Sequence, residues 1–313
     1  MDHPGAYVGR FAPSPTGAMH LGVARTSLAA WLDARKAGGQ ILLRIEDIDA
    51  PRTVPGAAEG LMEDLHWLGL DWDGPPTWQS QRSTHYEAAI ATLREKGRVY
   101  GCTCSRKEIA LASSAPHGAS DEGPRYPGTC RGGPTKPGRP EALRLRTEPG
   151  IDSVAFEDLV FGPQREDVHA SASDFVLRRS DGLWAYQLAV TVDDLLQGVT
   201  RVVRGSDLLA STGRQILLRR LLRPAEERLE TLHVPLVLGP DGKRLAKRDR
   251  AASIAALRAQ GMAPERVVGI LAASLGLVPA DQSISAAALI EMWDVTRVGR
   301  ADGPIRMDNR GSV

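Results

Sequence analysis

Apolar positions along the chain fall into alternating blocks, short runs of strand character followed by stretches of helical spacing. Near the start, YVGRFA reads as a short strand. Pro13, Pro15 and Gly17 then exclude regular structure from residues 12–19. From His20 onward, Leu21, Ala24, Leu28 and the Trp31/Leu32 pair recur at helical spacing until Gly38-Gly39 stops them. QILLRIED follows as a buried strand. Strand, loop, helix, strand is a βαβ unit and implies a parallel sheet. Ligands of such sheets gather beyond the carboxyl ends of the strands, where residues 12–20 and the pair Glu46-Asp47 both fall.

Farther along, residues 55–70 and 83–97 carry amphipathic helical patterns. Residues 112–140 are rich in Gly, Pro and Ser and form no regular element. DFVLRRSDGLWAYQLAVTVDD predicts a hairpin turning at Ser180-Asp181-Gly182. GVTRVVRG predicts a strand, and a helix capped by Asp207 runs from there to Leu222, giving the second half of the parallel sheet. After the turn GPDG, residues 251–293 are mainly helical, and the tail from Arg300 is expected to be loose. No internal repeat is visible.

Composition narrows the class without naming an activity. With 42% hydrophobic and 25% charged residues, the chain is an ordinary globular one. No apolar run approaches the ~20 residues of a membrane-spanning helix, and MDHPGAYVGRF lacks a signal-peptide core, so a cytoplasmic protein is expected. The net charge of +1 does not by itself point to nucleic acid. Arginine outnumbers lysine 33 to six, yet Lys243 and Lys247 lie within five residues of each other. Where arginine is the default cation, a retained lysine serves as a compact ammonium. Cys102, Cys104 and Cys130 share one segment, which in a reducing compartment argues for metal binding or three metal-free thiols rather than disulfides.

Two stretches carry candidate chemistry. A loop opening into a helix offers free backbone N–H groups and a positive dipole end, a natural seat for phosphate. His20 stands at that helix start, Gly22 leaves room for a flat base, Ser14 and Thr16 add hydroxyls, and Arg10 adds a cation. The alternative is a polar turn that merely caps the helix. GPDGKRLAKRD gathers Lys243, Arg244, Lys247 and Arg248, which suits a departing polyphosphate or simply a solvated face.

SPTGAMHLG resembles the HIGH signature of the class I aminoacyl-tRNA synthetases, and RLAKR resembles their KMSKS loop. GRFAPSPTG, LLRIEDIDAPR and DDLLQGVTRVVRGSDLLASTGRQ are similar to blocks of the glutamate-specific branch, in the same order, from about residue 7 to about 260. The resemblance implies an α/β fold: a Rossmann-like parallel sheet, an inserted α+β subdomain with a zinc site, and a short C-terminal helical region. The corresponding boundaries are 1–100 and 196–242 for the two catalytic halves, 101–195 for the insertion, 243–299 for the lysine loop and helical region, and 300–313 for the tail.

The same resemblance implies site residues. Arg10, Phe11, Ala12, Pro13 and Ser14 match the motif lining the glutamate site, with Arg10 on the side-chain carboxylate through a bidentate contact. Glu46 matches the acceptor for the α-amino group, and Tyr186 and Arg204 match the remaining glutamate positions. His20, Gly22, Arg244 and Lys247 match the ATP site, with His20 and Lys247 stabilising the reacting phosphorus and Mg²⁺ arriving on ATP. Ala246 stands where the lysine loop usually has serine. Cys102, Cys104, Cys130 and Tyr126 resemble a structural zinc site, with His117 as an alternative fourth ligand.

Only 64 residues follow the lysine loop, fewer than an anticodon-binding domain needs. That points to the short members of the branch, monomers that activate L-glutamate with ATP without tRNA and then transfer it to the queuosine base of tRNA(Asp). The competing expectations are a shortened enzyme charging the 3′ end of tRNA(Glu) and a non-catalytic regulator that binds glutamate or an adenylate.

Overall fold

A computed structural model describes residues 6–112, 125–226, 229–238, 253–308 and 311–312. The chain opens with the expected unit: β1 (Val8–Phe11), α1 (Leu21–Lys36) and β2 (Gln40–Ile45), with β1 and β2 parallel. The connection from α1 into β2 is tight. A Cβ at Gly39 would lie 2.5 Å from the Tyr7 side chain and 2.6 Å from its carbonyl oxygen, so only glycine fits.

α2 (Ala57–Trp67), the short β3 (Thr77–Trp78) and α3 (Ser83–Glu95) follow. β4 (Val99–Cys102), α4 (Arg106–Ala112), β5 (Ala142–Leu145), the antiparallel pair β6 (Ser153–Asp158) and β7 (Gly162–Asp167), α5 (Val168–Ser171) and β8 (Val176–Arg178) come next. β4, β5 and β8 make a small antiparallel sheet beside the cysteines. β6 and β7 fall inside the 101–195 stretch expected as an insertion. They extend the larger sheet instead, through β10 (Glu230–Val234) and β9 (Arg201–Gly205), in the order β7-β6-β10-β9. The Thr200 N–H donates to the Val8 carbonyl at 3.0 Å, so β9 lies beside β1. Read across, the strands run β3-β2-β1-β9-β10-β6-β7, and the connections reverse direction between β1 and β9.

The predicted hairpin through Ser180-Asp181-Gly182 is half right. β8 turns there and Arg178 bridges Trp184, but the returning arm is a helix, α6 (Tyr186–Leu196). Residues 187–195 of α6 are all buried, so both apolar and polar residues face protein on every side. Its run of β-branched Val190, Thr191 and Val192 imitates a strand. α7 (Leu209–Leu222) packs against α6 and α3. Asp207 does not cap it: Leu208 is its N-cap, without a side-chain bond, and Asp207 lies in the preceding 3₁₀ turn.

α8 (Ile254–Ala259) packs on α2, and α9 (Pro264–Ser274) and α10 (Ala286–Leu289) pack on α1. The tail expected to be loose from Arg300 is tied down over residues 302–305. The Leu236 N–H donates to Asp302 at 2.6 Å, β12 (Gly303–Pro304) pairs with β11 (Val237–Leu238), and Ile305 is buried in the core. One buried isoleucine and two ladder residues suffice to order a terminus that composition leaves open. Among the described residues no helix is long and apolar enough to cross a membrane.

Candidate active site

Where the strand order reverses, a cleft of about 1070 Å³ opens above the ends of β1, β2 and β9. Its walls include the loop after β1, from Arg10 through Ser14, together with His20, Gly22 and Glu46. Tyr186 and Arg204 complete the wall on the α6 and β9 side. Ten residues that the sequence singled out thus meet in one cavity, the position expected for ligands of an open parallel sheet.

His20 is the N-cap of α1, and its Nδ1 accepts from the Val23 N–H at 3.3 Å. The imidazole therefore lies over the helix start, and a Cβ on Gly22 would come within 3.1 Å of it. Gly22 first of all makes room for the His20 ring, a more local requirement than space for a base. The backbone of His20 also bridges Ser253, and the Ile254 N–H donates to the Met19 carbonyl at 2.8 Å. Val237 and Ser253, on either side of residues 239–252, both line the cleft. Arg244, Ala246 and Lys247 themselves lie outside the described residues.

The floor of the cleft is a buried ionic lattice. Arg10 is 4% exposed; its Nη1 donates to the Val203 carbonyl at 3.1 Å and its Nε sits 3.4 Å from Asp194 Oδ1. Arg44 is fully buried and reaches Asp194 at 2.8 Å, Gln197 at 2.7 Å and Glu46 at 3.3 Å. Asp193 accepts from Gln79 at 2.8 Å, Tyr86 at 2.8 Å and Arg82 at 2.5 Å. Burial would raise the Asp194 carboxyl, but the Arg44 and Arg10 guanidiniums overcome it and hold that group below its ordinary value. For Glu46 burial prevails over the same two cations, so its carboxyl stays above the usual range. Glu46 is ion-paired with Arg44 at 3.3 Å and also lines the cleft, where a carboxylate suits an ammonium. Burial also raises the Tyr186 phenol and lowers Arg204.

Away from the cleft, Cys102, Cys104 and Cys130 bring their sulfurs within 4.8 Å of one another. The Tyr126 hydroxyl lies 3.4 Å from the Cys102 sulfur and 3.9 Å from that of Cys104, and Cys104 is 3.6 Å from Cys130. A tetrahedral zinc with bonds of about 2.3 Å places its sulfurs about 3.8 Å apart, so this donor set fits. The thiols differ in acidity. Burial raises Cys104 to about 11, whereas backbone bonds at Thr135 and Thr103 outweigh burial and bring Cys130 down to about 5. The Arg144 guanidinium stacks 3.8 Å above the Tyr126 ring. The three cysteines can hold a metal ion, with the Tyr126 hydroxyl beside them; His117 lies outside the described residues.

The catalytic-domain family of tRNA synthetases class I (E and Q) matches residues 7–299. The chain belongs to the class I tRNA synthetases. It is 50% identical to a glutamyl-Q tRNA(Asp) synthetase of Symbiobacterium thermophilum, covering 96% of this chain and 95% of that protein. A protein of the same name from Nocardia farcinica is 51% identical over 87% of this chain and 85% of its own length. Among solved structures, a glutamate tRNA ligase from Elizabethkingia meningosepticum, in complex with its amino acid, superposes with a TM-score of 0.78 at 27% identity. It covers 96% of this chain and 67% of that one.

Within this class I synthetase, the sequence pattern had not singled out the groups beneath the cleft. Arg44, Asp193 and Asp194 were visible only as parts of matching blocks. His233 and Asp158 were not visible at all. The His233 Nδ1 lies 2.6 Å from Asp158 Oδ2, and its Nε2 accepts from Arg204 Nε at 3.0 Å. The one signal available was a histidine inside an otherwise apolar run, TLHVPLVL, which alone is weak.

Proposed function

We propose that this synthetase activates L-glutamate with ATP, without needing tRNA, and transfers the glutamyl group to the queuosine base of tRNA(Asp). The observation that carries the activation step is the convergence of Arg10, Glu46, Tyr186 and Arg204 on one cleft beside His20. Two cations and one anion complement an amino acid with two carboxylates and one ammonium. Arg10 takes the side-chain carboxylate, Glu46 the α-ammonium, and Tyr186 with Arg204 the rest of the substrate, while Phe11 to Ser14 form the wall.

The α-carboxylate attacks the α-phosphorus of ATP in line and pyrophosphate leaves. Positioning and charge stabilisation supply the catalysis. Free N–H groups at the start of α1 face the phosphates, His20 stabilises the reacting phosphorus, and Gly22 keeps the wall thin. Lys247 and Arg244 meet the departing pyrophosphate, with Mg²⁺ carried by ATP. The acceptor assignment follows the names of relatives that match nearly the whole chain. In this reading Cys102, Cys104, Cys130 and Tyr126 hold one structural zinc per chain, the segment carrying them serves as a module inserted into the catalytic unit, and the enzyme works as a cytoplasmic monomer.

The test uses ATP and labelled glutamate, first alone, then with tRNA that carries or lacks queuosine. Glutamate-dependent pyrophosphate exchange without tRNA, and label only on queuosine-containing tRNA(Asp), are expected. Label on the 3′ end of tRNA(Glu) would replace the acceptor assignment, and absence of exchange would leave a binding protein.

A further inference from the structure

We propose that Asp158 and His233 are positioning residues that aim the Arg204 guanidinium into the substrate cleft, an inference that rests on the glutamate-activating reading above. The three residues stand on the adjacent strands β6, β10 and β9. In the parallel register of β9 and β10, His233 is the direct partner of Arg204. Strand alternation sends Leu232 and Val234 into the apolar core around α1 and leaves His233 on the opposite face, toward α7.

Hydrogen-bond chemistry fixes the direction of the relay. Asp158 Oδ1 accepts the Val160 and Phe161 N–H groups at 3.1 and 2.9 Å, and Oδ2 accepts the His233 N–H at 3.2 Å. A carboxylate so held is acceptor-only, so the His233 Nδ1 at 2.6 Å must carry a proton and donate. The Nε2 lone pair is then available, and Arg204 Nε–H donates to it at 3.0 Å. His233 is fully buried with Arg204 beside it, and burial and that neighbouring charge keep the imidazole neutral.

Arg204 is gripped on its other edge by α7. Nη1 donates to Gln215 at 2.7 Å, and Nη2 to Thr212 at 2.8 Å and to the Leu208 carbonyl at 3.3 Å. Most of the five N–H donors of the planar fork are therefore engaged within the protein, and one plane is selected. Arg204 lines the cleft, whereas His233 and Asp158 do not. They touch no substrate and act through the guanidinium alone, as the orienting partners of catalytic groups do.

The experiment measures glutamate-dependent ATP–pyrophosphate exchange for the full-length protein and for His233→Ala, His233→Gln, His233→Asn and Asp158→Asn. Losing a hydrogen bond to a charged group corresponds to about a ten- to hundredfold change. His233→Ala should raise the glutamate KM by about that factor, with the ATP KM within about twofold. His233→Gln should recover much of the loss, because its longer amide brings an acceptor near the Nε2 position; His233→Asn, which reaches only the Nδ1 position, should not. Asp158→Asn should shift the same KM by a smaller factor. Should His233→Ala fail to fold, the Gln–Asn contrast and Asp158→Asn decide the matter. Parallel rises in both KM values, a fall in kcat alone, or no advantage of Gln over Asn would overturn the inference. No glutamate-dependent exchange by the unmodified protein would overturn the activation reading together with it.

Discussion

The cleft floor and the cysteine cluster are both polar groups packed out of water, yet they solve that problem oppositely. Under the cleft, Arg44 meets Asp194, Glu46 and Gln197, and Asp193 meets Arg82, Gln79 and Tyr86. Opposite charges there are partnered from within the chain. In the cysteine cluster three sulfurs face one another beside the Tyr126 hydroxyl, with a thiol near 5 beside one near 11. The first arrangement sets most of its charges against opposite charges of the same chain. The second is a set of soft donors close enough to share one cation. A substrate site must keep its shape before substrate arrives, whereas a structural module can borrow its counter-charge permanently.

Breaking the floor should have the largest effect. Arg44→Ala removes the cation shared by Asp194 and Glu46 and leaves buried carboxylates uncompensated. A loss of about 3–5 kcal/mol in stability is expected for a buried pair broken on one side, measured by urea unfolding, together with loss of pyrophosphate exchange. A result near zero would mean that solvent enters the floor and that the two regions differ less than described.

Glu46→Gln sharpens the comparison from within the floor. Glutamate-dependent exchange should fall by about 10²–10³, the usual size for removing one charged contact at a reacting centre. Stability should move the other way. The folded pKa of Glu46 is raised, so its favourable contribution exists at low pH and is lost as pH rises through the folded value. The Gln variant should therefore gain stability near neutrality and lose that advantage on acidification. Asp194→Asn should show the reverse signature, because a depressed carboxyl contributes above its unfolded value and loses that contribution as pH falls. Thermal unfolding across pH separates the two.

Removing metal should disturb the least of the molecule. One zinc per chain is expected by elemental analysis, and chelation should expose β4 and β5 to hydrogen exchange while β1, β2 and β9 stay protected. Exchange activity should fall by less than about tenfold, since the thiols lie outside the cleft. Equal loss of protection in both sheets would show that the cysteine module props up the catalytic one.

How far each part was readable follows from the same contrast. Arg10, His20 and Glu46 were legible because the βαβ pattern places them together at strand ends. Cys102, Cys104 and Cys130 were legible because thiols close in sequence are rare enough to notice, whereas Tyr126 came only with the family resemblance. α6 was misread as a strand because its central run, Val190, Thr191 and Val192, is β-branched and follows a turn signal. The relay from Asp158 to His233 spans 75 residues, and the Arg44–Asp194 pair spans 150. No periodicity links such positions, because a buried charge finds its partner through the sheet and not along the chain.

By itself the sequence determined the βαβ opening, the loop that meets the start of α1, and the cysteine donor set. Each is local: turn residues, side-chain period and ligand spacing act over a few residues. Tertiary structure decided that β6 and β7 join the main sheet, that α6 is a buried helix, and that Arg204 takes its direction from His233 and Asp158. Those outcomes depend on strand order and register, which are fixed by apolar burial summed over the whole fold. The charges then had to find compensation wherever that burial brought them together.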